Sequence, residues 1–351
     1  MTEKFDGVRA LLRQAVAGRA TPAVAIETGD ASGAVWRDVA GALTYEPDAP
    51  PASDATIFDL ASLTKVICSA TLAMQAIDAG RLALEDPVAR WLPAWRGADR
   101  IGVTVADLLA HASGLTAYLP LYRNCSGRVE FEHAICELPL EYAPRTRSIY
   151  SDLGFILLGF ILEEAQGARL IDQFAPIAGL VAPEPIAFAP PSAGRERTAP
   201  TEVDPWRGRL LVAEVHDENA WALGGAAGHA GLFGTVGAAG GFARIVLRTL
   251  RSDSALARRH TLQNFVEKTD VPSSSRALGW DTMLPTSSCG RRISERAFGH
   301  TGFTGTSLWI DPDRGIYVAL LANRVHPTRD NEAFKAFRPR IHDEVMKAWG
   351  F

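Results

Sequence analysis

The segment from residue 60 to residue 77 constrains the fold most, because it is almost entirely apolar and yet contains a lysine. It reads L-A-S-L-T-K-V-I-C-S-A-T-L-A-M-Q-A-I, and Lys65 is its single charged residue. Leu63, Val66 and Ile67 begin a series of apolar positions at helical spacing, and further apolar residues widen this stripe almost all round. Such a helix is typical of a protein core. The sequence therefore predicts a buried helix that carries a lysine into the interior.

Ser62 stands three positions before Lys65, and this spacing indicates a nucleophile with a base beside it. Residues i and i+3 share one face of a helix, so the hydroxyl and the amine would be neighbours. Burial disfavours the charged form of lysine, and we therefore expect the pKa of Lys65 to fall. Ser62 would lie in the first turn, where free N–H groups and the helix dipole favour negative charge. The alternative is a lysine whose ammonium group reaches solvent at the helix end.

Composition and charge exclude several classes of protein. With 351 residues, of which 47% are hydrophobic, the chain can form one large domain or two. A net charge of −4 without a basic run argues against a nucleic-acid partner. The charged, amphipathic start lacks a signal peptide, no apolar window suits a membrane span, and the four cysteines lack zinc spacing. We therefore predict a cytoplasmic protein with reduced thiols and no membrane partner.

Strand patterns near both ends of the chain, with helical patterns between them, predict an α+β fold. Strand-like runs are predicted at residues 22–27, 34–40, 276–282, 293–299, 306–311 and 316–322, and terminal helices at 5–17 and 332–349. We expect one antiparallel sheet flanked by helices, made from residues 1–58 and 270–351, and a mostly helical inserted domain of residues 59–269. Ser62 would face the cleft between these domains, a favoured place for a ligand site.

Two further stretches carry groups that could act with Ser62. The sequence S-I-Y-S-D at 148–152 places the Tyr150 phenol two residues from the Asp152 carboxylate, at the start of a helix. Close to Lys65 the phenolate of Tyr150 would be favoured, and it could relay a proton to and from Ser62. Alternatively, Tyr150 stabilises a turn and Asp152 is an ordinary N-cap of the helix that follows.

The second stretch, G-H-T-G-F-T-G-T at 299–306, begins a strand with small residues. A substrate could lie along such a backbone, and a free N–H there could form half of an oxyanion hole, with the N–H of Ser62 as the other half. A strand with glycine bulges is the alternative.

The histidines of the middle region do not predict a metal site. His216 precedes a glycine-dense loop that contains His229, but no third ligand stands at metal spacing. We therefore expect no metal and no cofactor, and interpret His229 as a structural residue near the floor of the cleft. The motifs of α/β-hydrolases, zinc proteases and nucleotide-binding proteins are also absent from the sequence.

Taken together, these stretches resemble the serine β-lactamase and penicillin-binding-protein superfamily, in particular its class C β-lactamase branch with D-aminopeptidases and related esterases. The motifs are, in order, F-D-L-A-S-L-T-K at 58–65, L-L-A-H-A-S-G-L at 108–115, Y-S-D-L-G-F at 150–155, G-H-A-G-L-F-G-T at 228–235 and G-H-T-G-F-T-G-T at 299–306. The resemblance implies that Ser62 is the acylated serine, Lys65 its lysine partner and Tyr150 the tyrosine of the Y-x-N motif. It also implies an oxyanion hole formed by the backbone N–H groups of Ser62 and Phe303.

Two departures from the family pattern fall on the expected substrate-binding residues. Asp152 stands where the Y-x-N motif has Asn, which replaces an amide donor with an acceptor. His300-Thr301-Gly302 stands where the family has K-T-G, and histidine is largely neutral at pH 7 unless a neighbour such as Asp152 raises its pKa. Both changes argue against efficient hydrolysis of carboxylated β-lactams.

The acyl-transfer residues are nevertheless intact, and they lead to one prediction and one alternative. We predict a metal-free serine hydrolase that cleaves an ester, amide or lactam of a small acyl substrate through an acyl-enzyme. Within this class, a β-lactamase, a D-Ala peptidase and a short-chain esterase are all compatible with the sequence. The alternative is a non-catalytic binding or scaffold protein on the same fold.

Overall fold

A six-stranded antiparallel sheet forms the centre of the fold, and its strands come from both ends of the chain. The computed structural model describes residues 3–190 and 192–351, and these residues form the following strands: β1 (Ala23–Asp30), β2 (Ala34–Gly41), β3 (Phe58–Asp59), β4 (Ile186–Phe188), β5 (Val203–Asp204), β6 (Arg209–Leu210), β7 (Leu232–Gly234), β8 (Asp281–Thr282), β9 (Phe298–Thr301), β10 (Ser307–Asp311) and β11 (Ile316–Ala322). The central sheet has the order β2-β1-β11-β10-β9-β8. The strands β3, β7 and β4 form a second sheet, and β5 pairs with β6.

Helices surround this sheet and fill the middle of the chain. The α-helices are α1 (Asp6–Ala17), α2 (Thr71–Asp78), α3 (Val88–Trp91), α4 (Val105–Leu109), α5 (Gly127–Glu137), α6 (Asp152–Gln166), α7 (Leu170–Leu180), α8 (Glu218–Ala222), α9 (Val236–Thr249), α10 (Arg259–Val266) and α11 (Ala333–Trp349). Short 3₁₀ helices cover Glu3–Phe5, Leu121–Arg123 and Ser192–Arg197. No helix within the described ranges is long and apolar enough to cross a membrane.

Both faces of the central sheet are buried, and this explains the continuous apolar sequences of its middle strands. Successive side chains of a strand point to opposite faces. Val24 and Val318 belong to a core formed with α1 and α11, whereas Ala25 and Leu321 belong to the larger core, which includes α9. A strand covered on both faces needs apolar residues at every position rather than at alternate ones.

The α+β fold predicted from the sequence is confirmed, including the antiparallel sheet built from both chain ends. The predicted run 316–322 coincides with β11. The division into residues 1–58 with 270–351 and residues 59–269 remains a prediction, and residues 1, 2 and 191 lie outside the described residues. The short strand β4 lies in a proline-rich part of the chain, between Pro185 and Pro190.

The predicted single helix over residues 60–77 is wrong in detail. Residues 61 and 62 form a turn, the helix begins at residue 63, Lys65–Ala70 forms a π-helical segment, and α2 continues it from Thr71. In a π-helical turn the backbone hydrogen bond spans five residues, one more than in an α-helix. The Thr71 hydroxyl donates to the carbonyl oxygen of Val66, five positions earlier (3.1 Å), and therefore supports the wider turn. Apolar spacing alone does not distinguish this local widening from a regular helix.

The predicted strands 276–282 and 293–299 are mostly irregular. In the first, Gly279 adopts φ of 85°, and the N–H of Ala277 donates to the carbonyl of Trp280 (2.9 Å), so the chain turns before β8. In the second, the backbone N–H and the hydroxyl of Ser294 both bond the Asp311 carboxylate, at 2.9 and 2.6 Å. Side-chain bonds of this kind compete with strand pairing.

Candidate active site

A strained turn after β3 presents Ser62. Ala61, the residue before it, has φ of 47°, in the left-handed region that non-glycine residues rarely occupy. The buried Asp59 carboxylate holds this turn by accepting hydrogen bonds from the backbone N–H of Ala61 (2.8 Å) and of His216 (2.7 Å). Local structure therefore fixes the position of Ser62 before any substrate binds.

Lys65 is fully buried beside Ser62, and all three ammonium hydrogens have an acceptor. Its Nζ lies 3.0 Å from Ser62 Oγ, 2.7 Å from Asp152 Oδ1 and 3.2 Å from the carbonyl oxygen of His229. The structure thus brings Ser62, Lys65 and Asp152 together, and it uses Asp152 to bind the lysine. The alternative of a lysine reaching solvent is wrong.

The predicted fall in the pKa of Lys65 is also wrong. Burial does lower this pKa, but the carboxylate of Asp152 and the nearby Tyr150 outweigh burial, and the pKa lies above its usual value. Asp152 lies 87 positions after Lys65, so the pattern of a single helix could not predict this ion pair. In the resting protein Lys65 is an ammonium group.

Tyr150 lines the same cavity, on a segment held by His111. The N–H of Ser151 donates to His111 Nδ1 (3.0 Å), the N–H of Ile149 donates to the His111 carbonyl (3.0 Å), and the His111 and Tyr150 rings lie 4.7 Å apart between centroids. Ser151 also caps α6, where its hydroxyl accepts from the N–H of Gly154 (3.2 Å). His111 is a positioning residue that the sequence interpretation missed, although it lies within the motif L-L-A-H-A-S-G-L.

Lys65 lies close to Tyr150, with Nζ 4.8 Å from the ring centroid. The phenolate that we expected is nevertheless not favoured. Burial raises the pKa of Tyr150, and the Asp152 charge adds to this rise, while Lys65 and Ser62 oppose it. The net result is a pKa above the usual value, so Tyr150 is a neutral phenol in the resting protein. The phenol loses its proton only to the extent that Lys65 and Ser62 stabilise the negative charge on its oxygen.

Two backbone N–H groups are free to hold an oxyanion. Neither the N–H of Ser62 nor that of Phe303 has an acceptor among the described residues. The turn that carries Phe303 is tied to the Ser62 turn, because the Thr304 hydroxyl donates to the carbonyl of Asp59 (2.8 Å) and the Thr306 hydroxyl to that of Leu60 (3.0 Å). This linkage holds the two donors in a fixed relation.

His300, Thr301 and Gly302 line the cavity next to this turn. His300 lies on β9 and is 2% exposed. Burial and the charges of Lys65 and Arg276 hold the pKa of His300 well below its usual value, so the imidazole is neutral and Asp152 does not raise it. Its Nδ1 lies 2.8 Å from the carbonyl of Thr301, which requires the proton on Nδ1 and leaves Nε2 as an acceptor without a partner in the described chain.

Ser62, Tyr150 and His300 open into one cavity of about 500 Å³. Its walls come from the middle of the chain and from the residues after position 270, which include several arginines that the sequence interpretation did not select. Arg276 lies over the Tyr150 ring, with Cζ 5.1 Å from the ring centroid. Its Nη1 lies 3.7 Å from Asp281 Oδ2.

His229 does not itself line the cavity but contacts two residues of the site, and its interpretation as a structural residue near the cleft floor remains a prediction. Its Nε2 lies 2.8 Å from Asp217 Oδ1, and its carbonyl accepts from Lys65. Burial raises the pKa of Asp217, but His229 and the N–H of Ala220 outweigh it and keep this carboxyl ionised. Over the described ranges no group of three or more His, Cys, Asp or Glu residues could hold a metal ion.

Comparison with known proteins agrees with this geometry. A sequence model of the family described as Beta-lactamase matches residues 8–338. The chain belongs to the β-lactamase family. Members of this family are serine hydrolases, and the chain is an enzyme of that type.

Two curated relatives are similar to this β-lactamase family member over most of its length. One is a protein of Escherichia coli (strain K12) provisionally assigned as a D-alanyl-D-alanine carboxypeptidase, which is 29% identical, with 78% of this chain and 70% of the relative covered. The other is an N-acetylmuramyl-L-alanine amidase of Bacillus subtilis (strain 168), which is 30% identical, with 79% of this chain and 70% of the relative covered.

Solved structures share the fold of this family member. The hydrolase EstCE1, described with promiscuous acyltransferase activity, superposes with a TM-score of 0.77 at 19% identity and covers 98% of this chain and 99% of its own. A class C β-lactamase from Rhodobacter sphaeroides gives a TM-score of 0.74 at 18% identity and covers 96% of this chain and 99% of its own.

Proposed function

We propose that the protein cleaves an ester or amide of a small acyl substrate through an acyl-enzyme on Ser62. The observation that carries this proposal is the position of Ser62 Oγ, 3.0 Å from the Lys65 ammonium and on a turn whose own N–H is free. A nucleophile, a proton-transfer partner and an oxyanion site then lie within one cavity, which is the arrangement that acyl transfer needs.

The reactive form is the one in which Tyr150 has lost its proton to solvent and is a phenolate beside the Lys65 ammonium. Ser62 Oγ then attacks the substrate carbonyl carbon while its proton passes to the Tyr150 oxygen. The Lys65 ammonium stabilises the phenolate before this transfer, and the N–H groups of Ser62 and Phe303 bind the carbonyl oxyanion that the attack creates. When the tetrahedral intermediate collapses, the leaving group departs with the proton and the acyl group remains on Ser62. The Tyr150 phenolate restored in this step takes a proton from a water molecule as the water oxygen attacks the acyl carbonyl. The Ser62 Oγ–acyl bond then breaks, the acid leaves, and the proton on Tyr150 passes back to Ser62 Oγ.

Asp152 acts through Lys65 in this scheme. Its Oδ1 is 2.7 Å from Nζ, and its side chain is only 19% exposed. The carboxylate therefore keeps the amine charged and correctly placed, and we assign it to positioning rather than to direct contact with substrate.

The neutral His300 argues against efficient hydrolysis of those carboxylated β-lactams that need a cation at this position. The imidazole supplies no permanent cation for a substrate carboxylate at the place of K-T-G. The two curated relatives are named as a D-alanyl-D-alanine carboxypeptidase and an N-acetylmuramyl-L-alanine amidase, and these names refer to a peptidase and an amidase. We therefore expect clear turnover of short-chain nitrophenyl esters and slow turnover of nitrocefin. A nitrocefin rate equal to the ester rate would contradict this preference.

Intact-mass spectrometry after reaction with a fluorophosphonate tests the function. The wild-type protein should gain one adduct on Ser62, and the Ser62→Ala variant should gain none and lose nitrophenyl-ester turnover. Ser252→Ala replaces an exposed serine and should keep both properties. A non-catalytic scaffold would give no adduct on Ser62, and wild-type turnover by Ser62→Ala would exclude Ser62 as the nucleophile.

A further inference from the structure

Five cationic side chains line the cavity, and two of them have no carboxylate beside them. Arg276 lies within 4.0 Å of Asp281, Arg329 of Glu202 and Glu218, and Lys335 of Glu332. Arg324 and Arg338 make no such ion pair with any part of the chain that the structure describes. Buried charges are normally paired, so these two require an explanation.

Both arginines are held inside the protein rather than at its surface. Arg324 is 1% exposed and lies two residues after the end of β11, whereas Arg338 is 7% exposed and lies on α11. On that helix Phe334, Ile341 and Val345 form the buried face, and Arg338 occupies a position of the same stripe. A charge at a core position lowers stability, and hence a specific role for it is expected.

Their existing hydrogen bonds leave donors free. Arg324 Nη1 donates to the carbonyls of Arg329 (3.3 Å) and Asn331 (2.7 Å), and Arg338 Nη2 lies 3.5 Å from the carbonyl of Gly302. The Nε atoms of both arginines are buried without a partner among the described residues. A guanidinium group has five N–H donors, so each side chain retains several for a ligand.

The two groups are also close enough to repel each other. Burial lowers the pKa of Arg338 to about 10, and the charge of Arg324 contributes to the decrease. The Arg324 guanidinium lies over the Phe303 ring, 4.8 Å from its centroid, so this positive region adjoins the turn with the oxyanion N–H. An anion bound here would relieve the repulsion and supply the missing acceptors.

We propose that Arg324 and Arg338 bind an anionic group of the substrate, a carboxylate carried at some distance from the scissile carbonyl. This inference rests on the proposed acyl-transfer function and adds a substrate class to it. The planar fork of arginine matches the two oxygens of a carboxylate. Arg338 contacts Gly302, and Arg324 contacts Phe303. The proposed anion site therefore lies at a different place from His300, which stands where the family has the lysine of K-T-G.

A pair of matched substrates tests this site. One is 4-nitrophenyl hydrogen adipate, which carries a free carboxylate, and the other is its methyl ester, which is neutral. In the wild-type enzyme, kcat/KM should be higher for the substrate with the carboxylate than for its methyl ester. The ratio of the first value to the second should fall about 10- to 100-fold in Arg338→Gln or Arg324→Gln, as expected for the loss of a charged hydrogen bond. Arg340→Gln, on the exposed side of the same helix, should leave the ratio unchanged.

Direct binding separates this proposal from the catalytic one. Calorimetric titration of 4-nitrophenyl hydrogen adipate into the Ser62→Ala variant should show binding that is lost when Arg338→Gln is added, and Arg338→Lys should restore it in part. If wild-type enzyme hydrolyses both esters equally and the variants reduce both rates equally, the function stands and the anion site is wrong. If neither ester is hydrolysed but the acid still binds, the proposed function fails instead.

Discussion

The Nζ of Lys65 lies 2.7 Å from Oδ1 of Asp152, and this contact determines the charge state of the site. The two residues are 87 positions apart in sequence, and the lysine is wholly buried. Without Asp152, burial would favour a neutral amine. With Asp152 present, the group beside the Ser62 hydroxyl is an ammonium. Removal of the Ser62 hydroxyl proton therefore depends on the protonation states of both Lys65 and Tyr150.

Replacement of Asp152 by Asn should move the pH dependence of the reaction. The Asp152 carboxylate contributes to raising the pKa of both Lys65 and Tyr150. Its removal lowers both values, so the deprotonated form of either group accumulates at lower pH. The ascending limb of kcat/KM against pH should therefore shift toward lower pH in Asp152→Asn.

The profile is measured with a neutral nitrophenyl ester, so that substrate ionisation does not contribute. Asp172→Asn removes an exposed carboxylate on α7 and should leave the profile in place. If the ascending limb of kcat/KM against pH does not move in Asp152→Asn, then the ionisation of neither Lys65 nor Tyr150 sets the pH dependence of the reaction.

Substitution of Gly302 by Ala should disturb the oxyanion hole. A Cβ atom at this position would lie 2.0 Å from Thr306 Oγ1 and 2.7 Å from the carbonyl oxygen of Leu60. The turn must move, and the N–H of Phe303 moves with it. We expect kcat to fall about 100- to 1,000-fold, the usual effect of losing one oxyanion donor. Gly33→Ala, at a glycine with no atom near the added Cβ, should retain full kcat.

Loss of the His111 side chain should reduce kcat by loosening the Tyr150 segment. Its Nδ1 accepts the N–H of Ser151, and its Nε2 has no partner in the described ranges, so its role is to hold the segment. We expect His111→Ala to lower kcat by roughly tenfold or more with little change in KM, because small displacements of a proton-transfer group are costly. His111→Asn can accept the same hydrogen bond and should recover part of the rate. Equal kcat values for Ala and wild type would exclude this role.

Glu27 should contribute to stability without affecting the chemistry. This buried carboxylate on β1 accepts from Arg37 Nε (2.7 Å), Arg244 Nη1 (2.6 Å) and the Tyr317 hydroxyl (2.6 Å). Glu27→Ala leaves these donors facing an empty site, and the free energy of unfolding should fall by about 3–5 kcal/mol. Urea unfolding measures the loss. Asp172→Ala breaks an exposed pair with Arg169 and should be indistinguishable from wild type.

Sequence patterns predicted those features that depend on neighbours in the chain. The apolar run of β11 and the spacing of Ser62 and Lys65 both report local geometry, and both match the structure. The charge state of Lys65 was predicted wrongly because it depends on a contact with Asp152 that only tertiary structure reveals. Arg338 does leave a signal, since it interrupts the apolar stripe of α11, but its proximity to Arg324 follows from packing.

The pairing of β1 with β11 has a consequence for synthesis of the protein. The Thr28 hydroxyl bonds the carbonyl of Tyr317, 289 residues later, and the turn of Phe303 is held to that of Ser62 over a similar separation. Contacts of this length cannot form until most of the chain has left the ribosome. The segment with Ser62 is translated early and the turn with Phe303 late, so a nascent or truncated chain that ends before residue 303 cannot form the cavity that the two share.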